Sequence, residues 1–310
     1  MKVLIAAPIH NILKEALECN AYELVYNLNI TQQQALEQAH QYVGIITSTR
    51  LMIDKPFLDQ ATQLKFIGRM GSGMEIIDQE YAIQKGVFCV SSPEGNCNAV
   101  AEHALAMILT LNNHLVKSYQ ELKKGLWLRE ENRGTELEGK TFAIIGYGHT
   151  GAALTRLLIP FGLNILLYDK YKTIDPNPAY QVCDSLAPIF ERADFVSLHV
   201  PLQEDTYQML NQDVINQFKK PIFLINTSRG PVLEPKMLIP SIQAGKIKAL
   251  ALDVWIEEPF SKMNPENKNI FDQLLSYDNV LLSPHIAGYS FEALYKMSNV
   301  LKHKLAQFLS

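Results

Sequence analysis

Residues 144–151 read IIGYGHTG, and the spacing of Gly146, Gly148 and Gly151 decides how the chain is organised. TFAII (141–145) has the pattern of a buried strand, and AALTRLLIPFG (152–162) that of a helix running on from Gly151. Between a strand and a helix each glycine has a use. Gly146 permits the tight turn, Gly148 lets backbone N–H groups reach a diphosphate, and Gly151 lets helix and strand approach. The helix then presents free N–H groups and its positive dipole end to the anion. A glycine pattern of this kind also arises where a strand and a helix simply pack closely, so its meaning depends on what surrounds it.

Eighteen residues beyond Gly151, NILLYD (164–169) ends in Asp169. A carboxylate there accepts hydrogen bonds from ribose hydroxyls and repels a 2′-phosphate, which favours NAD over NADP. Lys170 and Lys172 lie close enough to soften that preference, and a solvated strand end is the plainer alternative for Asp169. The loop therefore reads as the cradle for the diphosphate of NAD.

Working outward, short β-branched runs alternate with helical patterns on both sides of the loop. KVLIAA (2–7), YELVYNL (22–28), VGIITS (43–48), LKFIGRM (64–70) and VFCVSS (87–92) read as strands, with segments such as NILKEALECN and QQQALEQAH as helices between them. Alternation of this kind implies a parallel sheet covered on both faces. Residues 98–125 then carry apolar positions at three- and four-residue spacing, predicting one long helix that stops at Gly125. A second series follows: TFAIIG (141–146), NILLYD (164–169), ADFVSLHV (193–200), PIFLINTS (221–228), KALALDVW (248–255) and NVLLSPHI (279–286). Six strands opening on a glycine loop is the Rossmann pattern. The tail SFEALYKMSNVLKHKLAQFL is helical. The fold class expected is α/β, with two doubly wound parallel-sheet domains. One is a flavodoxin-like substrate-binding domain, discontinuous over 1–97 and 287–310. The other is an NAD-binding Rossmann domain inserted at 98–286.

The bulk numbers exclude several classes. The 310 residues fit two domains, and 47% of them are hydrophobic. The net charge is −4 and no basic run is longer than two or three residues, which argues against nucleic acid as a partner. Cys19, Cys89, Cys97 and Cys183 are scattered without a CxxC pair, so neither a disulfide frame nor a metal site is expected. MKVLIAAPIHN reads as a first strand rather than a secretory signal. No apolar stretch approaches the ~20 residues that span a bilayer. The expectation is a cytoplasmic protein without membrane attachment.

Oxidising an alcohol with NAD requires a base for the hydroxyl proton. Histidine, with an ordinary pKa of ~6.5, serves in both directions near neutrality. Of the eight histidines, His285 ends the strand pattern NVLLS and is followed by Ala287 and Gly288. INTSRG (225–230) ends another strand and offers Arg229, whose guanidinium suits a carboxylate. ALDVWIEEP (251–259) offers Asp253, Glu257 and Glu258, any of which could orient the imidazole and raise its pKa. Alone, each is as well read as a surface ion pair or a solvated loop residue. Together, three strand ends bearing Arg, Glu and His point to a site.

The segments GTELEGKTFAIIGYGHTGAAL, ADFVSLHVPL, FLINTSRGPVLE, ALDVWIEEP, LSPHIAGYS, NAVAEHALAMIL and GRMGSGMEIID together resemble the D-isomer-specific 2-hydroxyacid dehydrogenases, over nearly the whole chain. The resemblance implies an NAD-dependent enzyme with Arg229, Glu258 and His285 as catalytic residues. In this reading His285 is the acid–base, and Glu258, directly before proline, is its partner. Arg229 holds the substrate carboxylate and polarises the reacting oxygen. It implies cofactor contacts by Gly146, Gly148, His149, Thr150, Gly151 and Asp169, with His199 and Pro201 near the adenine, Thr227 lining the cleft and Asp253 at the nicotinamide amide. It implies that the loop Met70-Gly71-Ser72-Gly73 meets the substrate carboxylate, so that Ser72 and Gly73 are substrate-binding. The loop's usual asparagine is Ile76 here, and Asn96, read as lying just before the long helix, matches a substrate-facing position of phosphoglycerate dehydrogenases. The family is usually dimeric through the inserted domain's long helix, so a homodimer is expected.

A phosphorylated substrate needs cations, for which Arg50, Arg69 and Arg129 are candidates. The arginine of phosphoglycerate-type enzymes is replaced by Thr47, and the chain ends soon after the last helix, where many of them carry a regulatory domain. The substrate expected first is 3-phosphoglycerate, followed by D-lactate, glyoxylate or hydroxypyruvate. An NAD-binding regulatory protein with little turnover is the alternative of another class. A methyltransferase shares the glycine loop and ribose acid but has no use for the Arg–Glu–His set.

Overall fold

The computed structural model describes residues 1–309. The chain divides into two compact units, Met1–Ala99 with the segment from Gly288 onward, and Val100–Ala287.

The first unit holds β1 (Lys2–Ile5), β2 (Glu23–Tyr26), β3 (Tyr42–Thr47), β4 (Phe66–Arg69) and β5 (Phe88–Ser91). All pair in parallel, in the order β2-β1-β3-β4-β5, which is the flavodoxin-like order. Helices α1 (Asn11–Cys19), α2 (Gln32–Gln38), α3 (Lys55–Gln60) and α4 (Gln79–Gln84) connect the strands. Each begins on a side-chain cap, from His10, Thr31, Asp54 and Asp78 respectively, which satisfies N–H groups the helix itself cannot. The C-terminal helix (Phe291–Lys304) returns to this unit. Its Leu301, with Leu305 just beyond it, is fully buried in one cluster with Val3, Ile5, Leu13, Leu17 and Phe66. The N–H of His10 donates to Ser298 Oγ at 2.9 Å, tying the two ends of the sequence together.

Helix α5 (Pro93–Asn112) carries the boundary between the units, and α6 (Leu115–Lys123) follows. Apolar spacing predicts a single helix over 98–125, and the structure corrects it twice. The helix starts earlier, at Pro93, because a proline at a helix N-terminus lacks only an N–H that would have no partner there. It breaks at His114, whose φ of +51 ends α5 in the left-handed region. The Asn112 side chain there turns to the Thr135 carbonyl.

The second unit is built on β6 (Thr141–Ile145), β7 (Asn164–Tyr168), β8 (Gln181–Val182), β9 (Phe195–Leu198), β10 (Ile222–Asn226), β11 (Ile247–Leu252) and β12 (Val280–Leu282). The sheet is parallel throughout, in the order β12-β11-β10-β9-β6-β7-β8. Every residue of β6, β9 and β10 is buried, as a sheet covered on both faces requires. Its helices are α7 (His149–Leu158), α8 (Ala187–Arg192), α9 (Gln212–Gln217), α10 (Leu238–Gln243) and α11 (Pro265–Leu274). Seven strands stand where six were expected. The additional one, β8, is two residues at the sheet edge, too short to carry an alternation or an apolar run.

Truncating Leu301 to alanine removes a fully buried side chain that locks the C-terminal helix to β1 and β4. Urea denaturation of Leu301→Ala is expected to show a loss of about 2–5 kcal/mol. A loss below about 0.5 kcal/mol would contradict the packing described.

Candidate functional site

The glycine loop connects β6 to α7. Gly146 has φ +95, and a Cβ there would meet the His199 carbonyl at 2.6 Å, so the turn admits glycine alone. A Cβ on Gly151 would meet the Gly146 carbonyl oxygen at 2.2 Å, which is the close helix–strand approach. Around Gly148 there is open space within 4 Å, and it precedes His149 and Thr150 at the first turn of α7. That helix start has no side-chain cap and no acidic residue in its first turn. Its first-turn N–H groups are therefore available to an anion. The groove also keeps a buried hydroxyl, Thr227 Oγ1, and a buried ring nitrogen, His199 Nδ1, without protein partners. An anion cradle flanked by unsatisfied buried polar atoms fits a dinucleotide.

Asp169, just past β7, closes the cradle on one side. Its Oδ2 accepts from the Tyr147 N–H at 2.7 Å, and its Oδ1 from the Tyr171 and Lys172 N–H groups at 3.0 and 2.9 Å. Burial works to raise its pKa, but those three N–H groups and the Lys172 charge outweigh it and hold the carboxyl below the usual range. Lys170 bonds Asp205 at 2.6 Å and Lys172 reaches the Tyr147 carbonyl at 3.1 Å. Pro201 is exposed just past β9, and its carbonyl accepts from Thr206 Oγ1.

His285 follows β12 with φ +56, an unusual conformation for a residue with a Cβ. Its Nδ1 lies 2.6 Å from Glu258 Oε2. Glu258 Oε1 in turn accepts from the Trp255 N–H at 2.7 Å. Burial pushes the Glu258 pKa up, yet the bonds from His285 and Trp255 and the charges of His285 and Arg229 overcome it, leaving the carboxyl below its ordinary value. A carboxylate can only accept, so Nδ1 carries the proton and Nε2 of the neutral ring is the basic nitrogen. The neighbouring Glu257 is engaged elsewhere, accepting from the N–H and Nδ2 of Asn264 at 2.8 and 2.9 Å, before α11. The structure thereby separates two glutamates that sequence spacing left equivalent.

Arg229 sits on the turn after β10, its Nη1 donating to the Ser228 carbonyl. Its charge is felt at Glu258. Two residues that sequence reasoning passed over shape this turn. Asn226, fully buried, accepts from the N–H and Oγ of Ser228 and donates to the Arg229 carbonyl at 2.9 Å. Gly230 lies so close to the next loop that a Cβ would sit 1.9 Å from the Trp255 carbonyl. Adjacent small and amide residues around the arginine were the available signal. Asp253 is 1% exposed. Its Oδ1 accepts from the Ile286 N–H and its Oδ2 from the Ala287 N–H, at 2.9 and 2.8 Å. Much of its acceptor capacity is thus committed to the His285 turn.

The residues expected to meet substrate belong to the first unit. Arg69 ends β4 with 6% exposure, its guanidinium turned to the Met70 carbonyl, so it is a buried side chain rather than an open surface cation. Arg50 and Arg129 are exposed. Ser72 is exposed and Gly73 half-buried. The loop is stapled by Ser92, another residue missed in sequence, whose Oγ accepts from the Gly71 N–H and donates to the Arg69 carbonyl. Asn96 stands inside α5, not before it as expected from the sequence, because the helix opens at Pro93. Ile76 packs half-buried against the apolar cluster around Leu51, Ile53 and Ile77.

Residues 105–287 match the family model described as D-isomer specific 2-hydroxyacid dehydrogenase, NAD binding domain. Over its whole length the chain is 31% identical to a D-3-phosphoglycerate dehydrogenase of Methanocaldococcus jannaschii, of which it covers 57%. It is 34% identical to a glyoxylate reductase of Thermofilum pendens, covering 83% of this chain and 75% of that one. The chain spans about half the length of the phosphoglycerate dehydrogenases it matches, 57% and 54% for two archaeal proteins. The solved structure of a D-lactate dehydrogenase from Aquifex aeolicus, complexed with NAD and lactic acid, superposes with a TM-score of 0.85. It is 25% identical, over 99% of this chain and 95% of that one. No helix among the described residues is long and apolar enough to cross a membrane.

Burial pushes the His199 pKa down to about 4, against ~6.5 for an imidazole in the unfolded chain. Below that upper value the unfolded chain binds a proton that the folded one refuses. Stability is then lost as pH falls, at up to ~1.4 kcal/mol per pH unit. Urea midpoints between roughly pH 4 and 7 are expected to fall more steeply for the native chain than for His199→Asn. Parallel pH dependences in the two proteins would contradict a neutral, buried His199.

Proposed function

The chain belongs to the D-isomer-specific 2-hydroxyacid dehydrogenase family, and from that premise we propose that it interconverts a D-2-hydroxy acid and its 2-oxo acid with NAD. The observation that carries the reading is the 2.6 Å bond between His285 Nδ1 and Glu258, which leaves Nε2 as the exchangeable basic nitrogen. NAD, when bound, supplies the hydride acceptor at the substrate carbon. The protein's part is binding, orientation and proton transfer. The N-terminus of α7, with the backbone of Gly148, His149 and Thr150, bears the diphosphate. Asp169 accepts from ribose hydroxyls with the acceptor capacity its three backbone bonds leave open. Arg229 holds the substrate carboxylate and draws electron density from the C2 oxygen. His285 Nε2 takes the hydroxyl proton in oxidation and returns it in reduction, while Glu258 stabilises the imidazolium that forms. Ser72, Gly73 and Asn96 are assigned to the substrate.

The phosphoglycerate reading is supported by the relatives of that name whose alignment runs over nearly all of this chain. A second reading, an unphosphorylated acid such as glyoxylate or hydroxypyruvate, is favoured by the burial of Arg69, which removes one of three cations a phosphate would use. A panel of 2-oxo acids with and without phosphate, followed by NADH loss, separates the two. In the same assay His285→Ala is expected to lower kcat by about 10²–10⁴-fold with NADH binding retained. Unchanged turnover would remove the imidazole from the mechanism. NADH binding with no turnover on any acid would favour a regulatory protein instead.

A homodimer is part of the proposal. Helix α6 buries no residue and exposes Leu115, Val116, Tyr119 and Leu122, followed by Leu126 and a 78% exposed Trp127. A contiguous apolar face of that kind marks an interface. Light scattering is expected to give the mass of two chains, and of one chain for a Tyr119→Asp/Trp127→Asp variant. A monomeric native protein would overturn this assignment.

A further inference from the structure

Asp253 does not hold the His285 turn alone. Its Oδ1 accepts a 2.5 Å hydrogen bond from the Ser283 hydroxyl. Ser283 Oγ lies 3.0 Å from Nε2 of His103, which projects from α5. A serine hydroxyl has one proton, and here it goes to the carboxylate. The bond to His103 must therefore run from the ring N–H to the serine oxygen, which fixes Nε2 as the protonated nitrogen. His103 Nε2 is 3.7 Å from Asp253 Oδ1, too long for a direct bond, so the serine is the link. All three residues belong to the second unit.

We propose that His103, acting through Ser283, is a positioning residue for His285. The chain of contact is continuous. His103 holds the Ser283 hydroxyl in the one rotation that donates to Asp253. Ser283 and the Ile286 N–H share Oδ1, which orients the carboxylate so that Oδ2 meets the Ala287 N–H. The His285 N–H ends on the Asp253 carbonyl at 2.8 Å. One aspartate thus receives three successive N–H groups and keeps His285 in its left-handed backbone. Without the fixed hydroxyl the carboxylate loses one of its three donors, the 285–287 turn is held less firmly, and the His285 ring shifts relative to Glu258. His103 touches no reacting atom in this scheme. It is a second imidazole placed behind the first.

The kinetic consequence rests on the reading of His285 as the acid–base, whereas the geometric one does not, so the two are measured separately. Nitrogen-15 histidine spectra of the full chain report whether His285 keeps its Nδ1–H bonded to Glu258. His103→Ala is expected to shift or broaden those ring resonances, and His103→Gln, which retains an N–H donor, to restore them. On the best acid of the panel, His103→Ala is expected to lower kcat by about tenfold, the scale of one hydrogen bond, with KM and NADH affinity little changed. Ser283→Ala removes only a hydroxyl and breaks the same relay. Adding His103→Ala to it is expected to lower kcat no further, because the two act in series. Unperturbed His285 resonances in both single variants overturn the proposal, whether or not the native protein turns over. Fully additive losses in the double variant overturn the serial linkage. Perturbed resonances in a protein that reduces no 2-oxo acid uphold the positioning role and sink the activity reading alone.

Discussion

Three consecutive backbone N–H groups, those of His285, Ile286 and Ala287, end on a single residue, Asp253. The site depends on that convergence. A left-handed backbone costs a residue with a Cβ roughly 1–2 kcal/mol. Two of the three bonds go to a buried carboxylate, and hydrogen bonds to charged groups are worth about 1.5–3 kcal/mol each. The bonds therefore outweigh the strain of the turn, and its direction follows. Nδ1 of His285 is aimed at Glu258, and Nε2 is left as the basic nitrogen of the ring. Glu258 is itself held from behind by the Trp255 N–H.

The parallel sheet explains why so few residues suffice. Every strand of the second unit runs the same way, so every carboxyl end lies on one edge. Gly146 follows β6, Asp169 follows β7, His199 follows β9, and Thr227 and Arg229 follow β10. Asp253 and Glu258 follow β11, and His285 follows β12. The register keeps adjacent ends level: Ile145 pairs with Leu198, Asn226 with Leu252, and Leu252 with Leu282. The chain therefore brings the glycine loop and the His285–Glu258 pair to one sheet edge on loops only a few residues long. Close approach does the remaining work, with no room for a Cβ where Gly146 meets His199 or where Gly230 meets Trp255.

Sequence made the strands legible because a strand covered on both faces reads as a nearly continuous apolar run, and β6, β9 and β10 do so, with Thr141, Ser197 and Asn226 as their buried polar members. It made Gly146, Asp169, Arg229 and His285 legible because each follows one of the strands. Edge strand β8 was invisible, since a two-residue pair at a sheet border buries too little to leave a pattern. The break at His114 was invisible for another reason. Apolar spacing continues through α6, but the side chains it marks are exposed, so periodicity there reports a surface and not a core. Spacing alone left Glu257 and Glu258 equivalent and only the family resemblance singled out Glu258; the backbone direction that sets Glu258 on His285 and Glu257 on Asn264 is not encoded in composition. Ile76 shows the converse: a departure from a familiar loop that packing accounts for, since its side chain lies against the apolar layer beside β4.

Asp169 and Asp253 use one device for opposite ends. Each carboxylate is held by neighbouring backbone N–H groups, and in each those bonds keep a charge in place without a cationic side chain as its principal partner. At Asp169 the carboxylate stays half-exposed, and the N–H groups of Tyr147, Tyr171 and Lys172 leave about one of its four acceptor positions open. Burial would disfavour a charge there, and the loop's own N–H groups with the Lys172 charge offset it. If Asp169 faces the ribose as proposed, its charge opposes a 2′-phosphate. At Asp253 the carboxylate is 1% exposed, and its charge is directed inward, to the geometry of a turn. The two aspartates thus rely on the same backbone chemistry, differing in whether the carboxylate is left open to solvent or closed upon the protein.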